Sequence, residues 1–215
     1  KLSSSTRVLT RLTESIPESS GEVGDNISID AILAAAKVLK AHIQANNALP
    51  DYVIVNDEQY TLSQFLYLMS KAIGNINDGN LGNITVVGAS SPGTPNGDKI
   101  STNINKTEYL DVASRVSQYI ISNGQAPNYA SSSAGKISYA DLLDAFSRIL
   151  DYYADNSKTL PNFVLINNTG GSGASALVAD KAKELVKQYL KKKCPDDQFS
   201  DENLEFLARY SVKKE

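Results

Sequence analysis

Asn46–Asn47–Ala48–Leu49–Pro50–Asp51–Tyr52 returns later in the chain as Asn123–Gly124–Gln125–Ala126–Pro127–Asn128–Tyr129, with the two prolines 77 residues apart. If this is a duplication, the same offset must hold for residues that were not used to find it. Ahead of the first stretch stand Ile32, Ala36, Leu39 and Ile43, an apolar stripe at helical spacing. The offset carries them onto Tyr109, Ala113, Val116 and Ile120, the same stripe. Behind the first stretch a second pattern runs through Leu62, Phe65, Leu66, Met69, Ile73 and Ile76. Its image is Tyr139, Leu142, Leu143, Phe146, Leu150 and Tyr153, again apolar or aromatic throughout. The chain therefore reads as one two-helix module used twice.

Short β-prone runs accompany the helices: Tyr52–Val53–Ile54–Val55, Ile84–Thr85–Val86–Val87 and Phe163–Val164–Leu165–Ile166. Leu160–Pro161–Asn162 precedes the third, so an Asn…Pro-Asn/Asp-aromatic signature occurs three times, an echo within each copy. The proline ends the helical region, fixes φ and sends the chain into an extended segment. Asn56–Asp57 followed by Gln59–Tyr60–Thr61 reads as a tight turn back into the next helix. Ala130–Ser131–Ser132–Ser133, the counterpart of Val53–Ile54–Val55–Asn56, is poor strand material. A helix with a single apolar stripe cannot bury it alone, so the two helices of a module are expected to pack on each other and on the strands.

The expected fold class is α+β: two tandem small modules of paired helices with short strands or hairpins, plus a helical C-terminal tail. Residues 1–27 form a polar lead-in around Pro17, 28–90 the first module and 91–104 a turn-rich linker. Residues 105–168 form the second module, and 169–215 a Gly/Ser linker and the tail. Lys1 reads as a processed or trimmed start, because neither an initiator Met nor a signal-peptide pattern is present.

The net charge of −3 and a pI near 5.3 lack the basic footprint of a nucleic-acid partner. Lys191, Lys192 and Lys193, with Lys181, Lys183 and Lys187 upstream, read as a solvated helix face. No apolar run reaches the length that spans a bilayer. Cys194 is the only cysteine, so an intramolecular disulfide is ruled out. Asn, Ser, Thr and Gly are abundant, and four N-x-S/T sequons begin at Asn26, Asn83, Asn105 and Asn167. These are glycosylation candidates if the protein is exported, although composition alone yields nearly as many.

The combined pattern resembles the pseudomurein-binding repeat of methanogenic archaea and their viruses. The resemblance rests on Ala36, Leu39, His42, Ile43, Asn46 and Leu49–Pro50–Asp51–Tyr52–Val53 with Val55–Asn56, then on Ser63–Gln64–Phe65–Leu66–Tyr67–Leu68. The second copy contributes Ala113, Val116, Tyr119, Ile120, Asn123 and Pro127–Asn128–Tyr129. A third, partial one contributes Tyr152, Asn156 and Leu160–Pro161–Asn162–Phe163–Val164 with Ile166–Asn167. The resemblance covers about residues 28–90 and 105–168. It implies a tandem repeat that attaches a surface protein or wall enzyme to a pseudomurein wall. The Ala130–Ser133 departure implies that the second module binds weakly or acts as a spacer, and residues 174–215 lie beyond the resemblance.

Such a polymer offers amide-rich peptides and sugar rings, so amides and hydroxyls beside flat aromatics are the expected partners. Asp51–Tyr52, Asn128–Tyr129 and Asn162–Phe163 fit that need, as do Asn56, Gln64 and Tyr67. The competing reading puts the aromatics in the core and the Asn side chains on turn backbone. Catalysis is not expected. The one Cys/His pair, Cys194 and His42, lies in unrelated segments, and His42 fills the position of Tyr119 and Tyr152, a packing or flanking place. Nor is a metal or cofactor site expected. Asn77–Asp78–Gly79–Asn80 lacks the distal Glu of a calcium loop, and Gly170–Gly171–Ser172–Gly173 lacks the Lys-Ser/Thr of a P-loop. Asp196, Asp197, Asp201 and Glu202 suit the start of a helix better than acid–base work.

Three functions follow, in this order. The first is a non-catalytic protein that anchors to the pseudomurein wall at an archaeal cell surface. The second is a structural subunit of an extracellular filament or surface layer, in which polar tails reach into other copies of the chain. The third is the wall-binding fragment of a pseudomurein-cleaving endopeptidase separated from its catalytic domain.

Overall fold

In a computed structural model the protein is described over residues 21–167. The expectations for Pro17, the Gly170–Gly173 stretch, the lysine cluster, Cys194, the acidic residues at 196–202 and the helical tail lie outside those residues. The described part contains β1 (Asn26–Ile27), α1 (Ile29–Asn46), β2 (Tyr52–Val55), β3 (Glu58–Thr61), α2 (Leu62–Asn77) and β4 (Ile84–Thr85). It continues with β5 (Ser101–Asn105), α3 (Lys106–Asn123), β6 (Tyr129–Ser132), β7 (Gly135–Ser138), α4 (Tyr139–Asp155) and β8 (Phe163–Asn167). This is an α+β chain of helices and antiparallel strand pairs.

Each helix begins on a side chain that takes up an otherwise unpaired backbone N–H. Ser28, Asn105 and Ser138 accept from the N–H of Ala31, Glu108 and Asp141. Thr61 and Gln64 form a reciprocal capping box at the start of α2. At the other end, Asn47 (φ 51°) and Gly124 (φ 61°) turn left-handed and close α1 and α3 at equivalent places. The signature asparagines have the same local task three times: Asn46, Asn123 and Asn156 each donate Nδ2–H to the carbonyl one turn earlier, at 3.0, 2.8 and 2.9 Å.

The 77-residue offset places α1 on α3, the α2 start on the α4 start, and the β2–β3 hairpin on β6–β7. It maps Ile27 onto Ile104, both buried. Beyond α4 the offset grows to 80: Ile84 and Val86 correspond to Val164 and Ile166, buried in the same order. Ser157 and Lys158, both left-handed at φ 53° and 57°, lie in the longer connection. Within each copy the outer strands pair (β1 with β4, β5 with β8) and the inner strands form the hairpin. The copy is thus itself two β-α-β units, four in all among the described residues.

Two sequence expectations change. The helices find their main partners across the copies: α1 packs on α4, α2 on α3, and α2 on α4, around one continuous core. Ser63 and Tyr139 hydrogen-bond at 3.1 Å between α2 and α4, and Lys40 meets Asp151 at 2.5 Å between α1 and α4. Ala130–Ser132 does form a strand, because β7 supplies the ladder and Ala130 is buried where Val53 is buried in the first copy. The turn-rich linker before β5 is bound to the second hairpin. Asp98 exchanges bonds with Lys136, its N–H donating to the Lys136 carbonyl and its carboxylate accepting the Lys136 N–H, each at 2.8 Å. Gly97 lies so close to Ser138 that a Cβ would come within 2.9 Å of its backbone nitrogen.

Candidate functional site

The last two turns of α3 and the strand that follows them enclose an open groove of about 470 Å³. Val116 and Ala130, both buried, form its floor. Tyr119 and Arg115 rise from the helix, and Pro127, Asn128, Tyr129 and Ser131 come from the chain entering and forming β6. The helix places Arg115 and Tyr119 on one face because they are four residues apart. Arg115 in turn ties the helix to the strand. Its Nε donates to Asp111 at 2.8 Å and its Nη2 to the Ser131 carbonyl at 2.7 Å. Its planar guanidinium also lines the groove.

Tyr119 is 43% exposed and offers both a flat face and a hydroxyl. Tyr129 is half-buried, with the Lys136 ammonium 4.7 Å from its ring centre. Asn128 Oδ1 accepts the Thr94 N–H at 2.8 Å, so that oxygen holds the incoming linker. Opposite the strand, the Glu108 carboxylate takes the N–H and hydroxyl of Ser133 at 2.6 and 3.0 Å and fixes the hairpin tip to α3. The groove is equipped to hold an amide- and hydroxyl-bearing chain: two aromatic rings, a guanidinium and strand backbone around an apolar floor. Among the described residues no three His, Cys, Asp or Glu side chains gather as a metal site would require.

The residues expected from sequence do not form a single site. Asn128 and Tyr129 lie in this groove. Asp51 and Tyr52 occupy the equivalent place before and on β2, both exposed, and Asn56 sits exposed at the tip of that hairpin. Asn162 and Phe163 lie exposed at the start of β8. Gln64 and Tyr67 need correction. Both are buried; Gln64 Oε1 accepts the Thr61 N–H at 2.9 Å, and Tyr67 is covered because α2 runs through the middle of the core. Asn26, Asn83, Asn105 and Asn167 are all exposed, although Asn105 Oδ1 also caps α3.

Arg115, Tyr119 and Ser131 were not among the expected site residues. One signal was available: Asp111, Arg115 and Tyr119 recur 33 residues on as Asp144, Arg148 and Tyr152. In the sequence alone Tyr119 reads as a packing or flanking position.

No curated protein matches the chain. The family model of the pseudomurein-binding repeat matches residues 100–132. That span comprises β5, α3 and β6 and takes in every residue that lines the groove. Residues 100–132 thus match the pseudomurein-binding repeat, and the groove between α3 and β6 lies inside that match.

Proposed function

We propose that the protein is a non-catalytic wall-binding module that anchors to pseudomurein at an archaeal cell surface, with the α3–β6 groove as a contact surface. One observation carries this reading: the family match and the α3–β6 groove coincide on residues 100–132. The side chains suit the polymer. Tyr119 and Tyr129 supply stacking faces for sugar rings, and Arg115 and the open strand backbone suit peptide carbonyls. A wall location also suits four exposed sequon asparagines, which would be open to glycosylation on an exported chain. No helix among the described residues is long and apolar enough to cross a membrane.

The test is co-sedimentation of the purified chain with pseudomurein sacculi, with bacterial murein as control. Retention by pseudomurein alone is expected. Tyr119→Ala combined with Tyr129→Ala should weaken it by about tenfold or more, the loss of two aromatic contacts of order 1 kcal/mol each. Absence of retention on both walls overturns the reading.

A further inference from the structure

The two hairpins have four outer edges, and other parts of the chain hold three of them. Val55 and Glu58 flank the two-residue turn of the first hairpin, so they and the Val53–Tyr60 pair exchange the ladder bonds. The N–H and carbonyl groups of Tyr52, Ile54 and Gln59 then point outward. On β3 the Gly21 N–H donates to the Gln59 carbonyl at 2.8 Å. In the second hairpin Asp98 holds both outward groups of Lys136 on β7, and Arg115 Nη2 donates to the Ser131 carbonyl on β6 at 2.7 Å. The 77-residue image of Ser131 is Ile54, and nothing among the described residues takes up its outward N–H or carbonyl. The cause lies in the helix beside it. Where α3 has Asp111 and Arg115, α1 has Ala34 and Val38, so the clamp is missing.

The change extends along the helix. Ala34, Val38, Ala41 and Ala45 form one outward row at helical spacing, all four exposed and Val38 at 68%. Their images on α3 are Asp111, Arg115, Gln118 and Ser122, also exposed and all polar. The duplication thus supplies its own control: one surface is built polar in one copy and apolar in the other. Tyr52 and Ile54, 39% and 38% exposed, carry the apolar character onto β2. An open strand edge beside an uncharged apolar helix face is a template for pairing, and the second copy shields the same place with an arginine.

We propose that the outward row of α1 and the β2 edge form a two-fold interface between two copies of this chain. A two-fold axis at Val53 sets Tyr52 opposite Ile54 of the partner copy, and the outward N–H of each then meets the outward carbonyl of the other. The two hairpins become one four-stranded antiparallel sheet, and the two α1 rows face each other across the axis. Alanine at three of the four places lets the helices approach closely, with Val38 filling the space between them. The charges are compatible with the match. The row carries none, Lys37 beside it is engaged by Asp155 at 3.1 Å, and the axis sends the two Asp51 carboxylates to opposite ends of the new ladder. One strand and three helical turns per copy bury roughly 1,000 Å² in all, the low end of specific interfaces, which suits a reversible dimer with a dissociation constant of order 100 μM or below. The dimer does not depend on what the α3–β6 groove binds, and in it Tyr52 touches another copy instead of the polymer.

Sedimentation equilibrium of the full chain from about 1 μM to about 1 mM tests the interface, since mass action makes the dimer fraction depend on concentration. A reversible monomer–dimer transition is expected. Ala34→Asp/Val38→Arg installs the pair that α3 already carries at the same place, and should weaken dimerisation about tenfold or more with the melting curve of the dilute chain unchanged. The register is read separately, in chains carrying Cys194→Ser. Tyr52→Cys mixed with Ile54→Cys should form a disulfide-linked dimer on mild oxidation, because directly opposed strand residues lie within bridging distance. Ile54→Cys alone should cross-link about tenfold more slowly or worse, since its two copies stand about 8 Å apart across the axis, beyond that distance. A chain that stays monomeric throughout overturns the dimer, whether the face stays open or the chain's own terminal residues cover it. A dimer that survives Ala34→Asp/Val38→Arg, or Ile54→Cys cross-linking as fast alone as in the mixture, overturns this interface.

Discussion

Asp151 is 6% exposed, and its Oδ1 has no hydrogen-bond partner; Lys40 lies at 2.5 Å on Oδ2, with Lys37 4.0 Å from Oδ1. Removing Lys40 would strand a carboxylate inside the α1–α4 contact. Lys40→Met should therefore lower unfolding free energy by roughly 2 kcal/mol, less than for a fully buried pair because the lysine is partly exposed. Lys40→Met/Asp151→Leu should recover most of it, since neither charge is then left alone; urea unfolding decides. Burial also shapes the alkaline limit. Tyr139 is pushed up to about 12, chiefly because its phenol is removed from water, and burial raises Tyr109 too. A folded-state pKa above the unfolded value of about 10 gives stability that is complete below pH 10 and is lost as pH rises through the folded value. Absorbance titration should thus show these phenols releasing protons only as the fold opens, and Tyr139→Phe should flatten part of that loss. At this scale the sequence was only partly legible. The stripe through Leu62, Phe65, Leu66, Met69, Ile73 and Ile76 foretold which residues of α2 are inside. It could not foretell that Ser63–Ser70 are all buried as well, because a helix flanked by neighbours has no solvent face to betray by its period. Tyr67 and Gln64 were misplaced for that reason.

The two hairpins show how one element tolerates different turn chemistry. Asn56 and Asp57 both have positive φ, 52° and 66°, the geometry of a two-residue turn matched to strand twist. Asp57→Gly should raise stability by about 0.5 kcal/mol, and Asp57→Val should lower it by more than 1, read from thermal melts. The second hairpin instead turns at Ser133 and Ala134 and reaches Gly135 at φ 120°, with Asp98 filling the space beside it. A Cβ there would come within 2.8 Å of the Asp98 carboxylate, so Gly135→Ala meets both strain and collision. We expect a cost of about 2 kcal/mol, together with earlier proteolysis of the linker that Asp98 secures. The elements themselves were readable because the offset of 77 is kept through both helices and the inner hairpins, and repetition checks a weak local signal against a second copy. The β6 strand was harder to see. Ala and Ser carry little β-preference; the strand pairs with β7, and Glu108 reaches across from 25 residues away to hold the tip at Ser133. The groove stayed hidden for a related reason: Arg115 and Ser131 meet through a side chain and a carbonyl that no spacing rule connects.

Across the whole molecule, a stripe says that a helix has a buried face but not which helix covers it. That is why the cross-copy pairing of α1 with α4 and α2 with α3 was beyond the sequence, while the doubled architecture was not. The arrangement has a direct test. Residues 21–90 and 91–167 made as separate chains should each lack a stable monomeric fold, since each leaves both helix faces uncovered. Mixed together they should recover the circular-dichroism spectrum and single cooperative melt of the intact chain. Independent folding of either half would contradict the shared core. The pairing also means that a half has no way to tell its own sister from the same half of another molecule. Nothing in the helix faces forbids a trade between neighbours, and successive trades would string molecules into an open-ended thread. What keeps the account closed is the tether: Ser90 is bound to Gly124 and Ala126, Thr94 to Asn128 and Asp98 to Lys136, so the path from one half to the other is laid down along the second hairpin. The strip of turn-forming residues that looks like slack in the sequence is the clasp that makes each molecule its own partner.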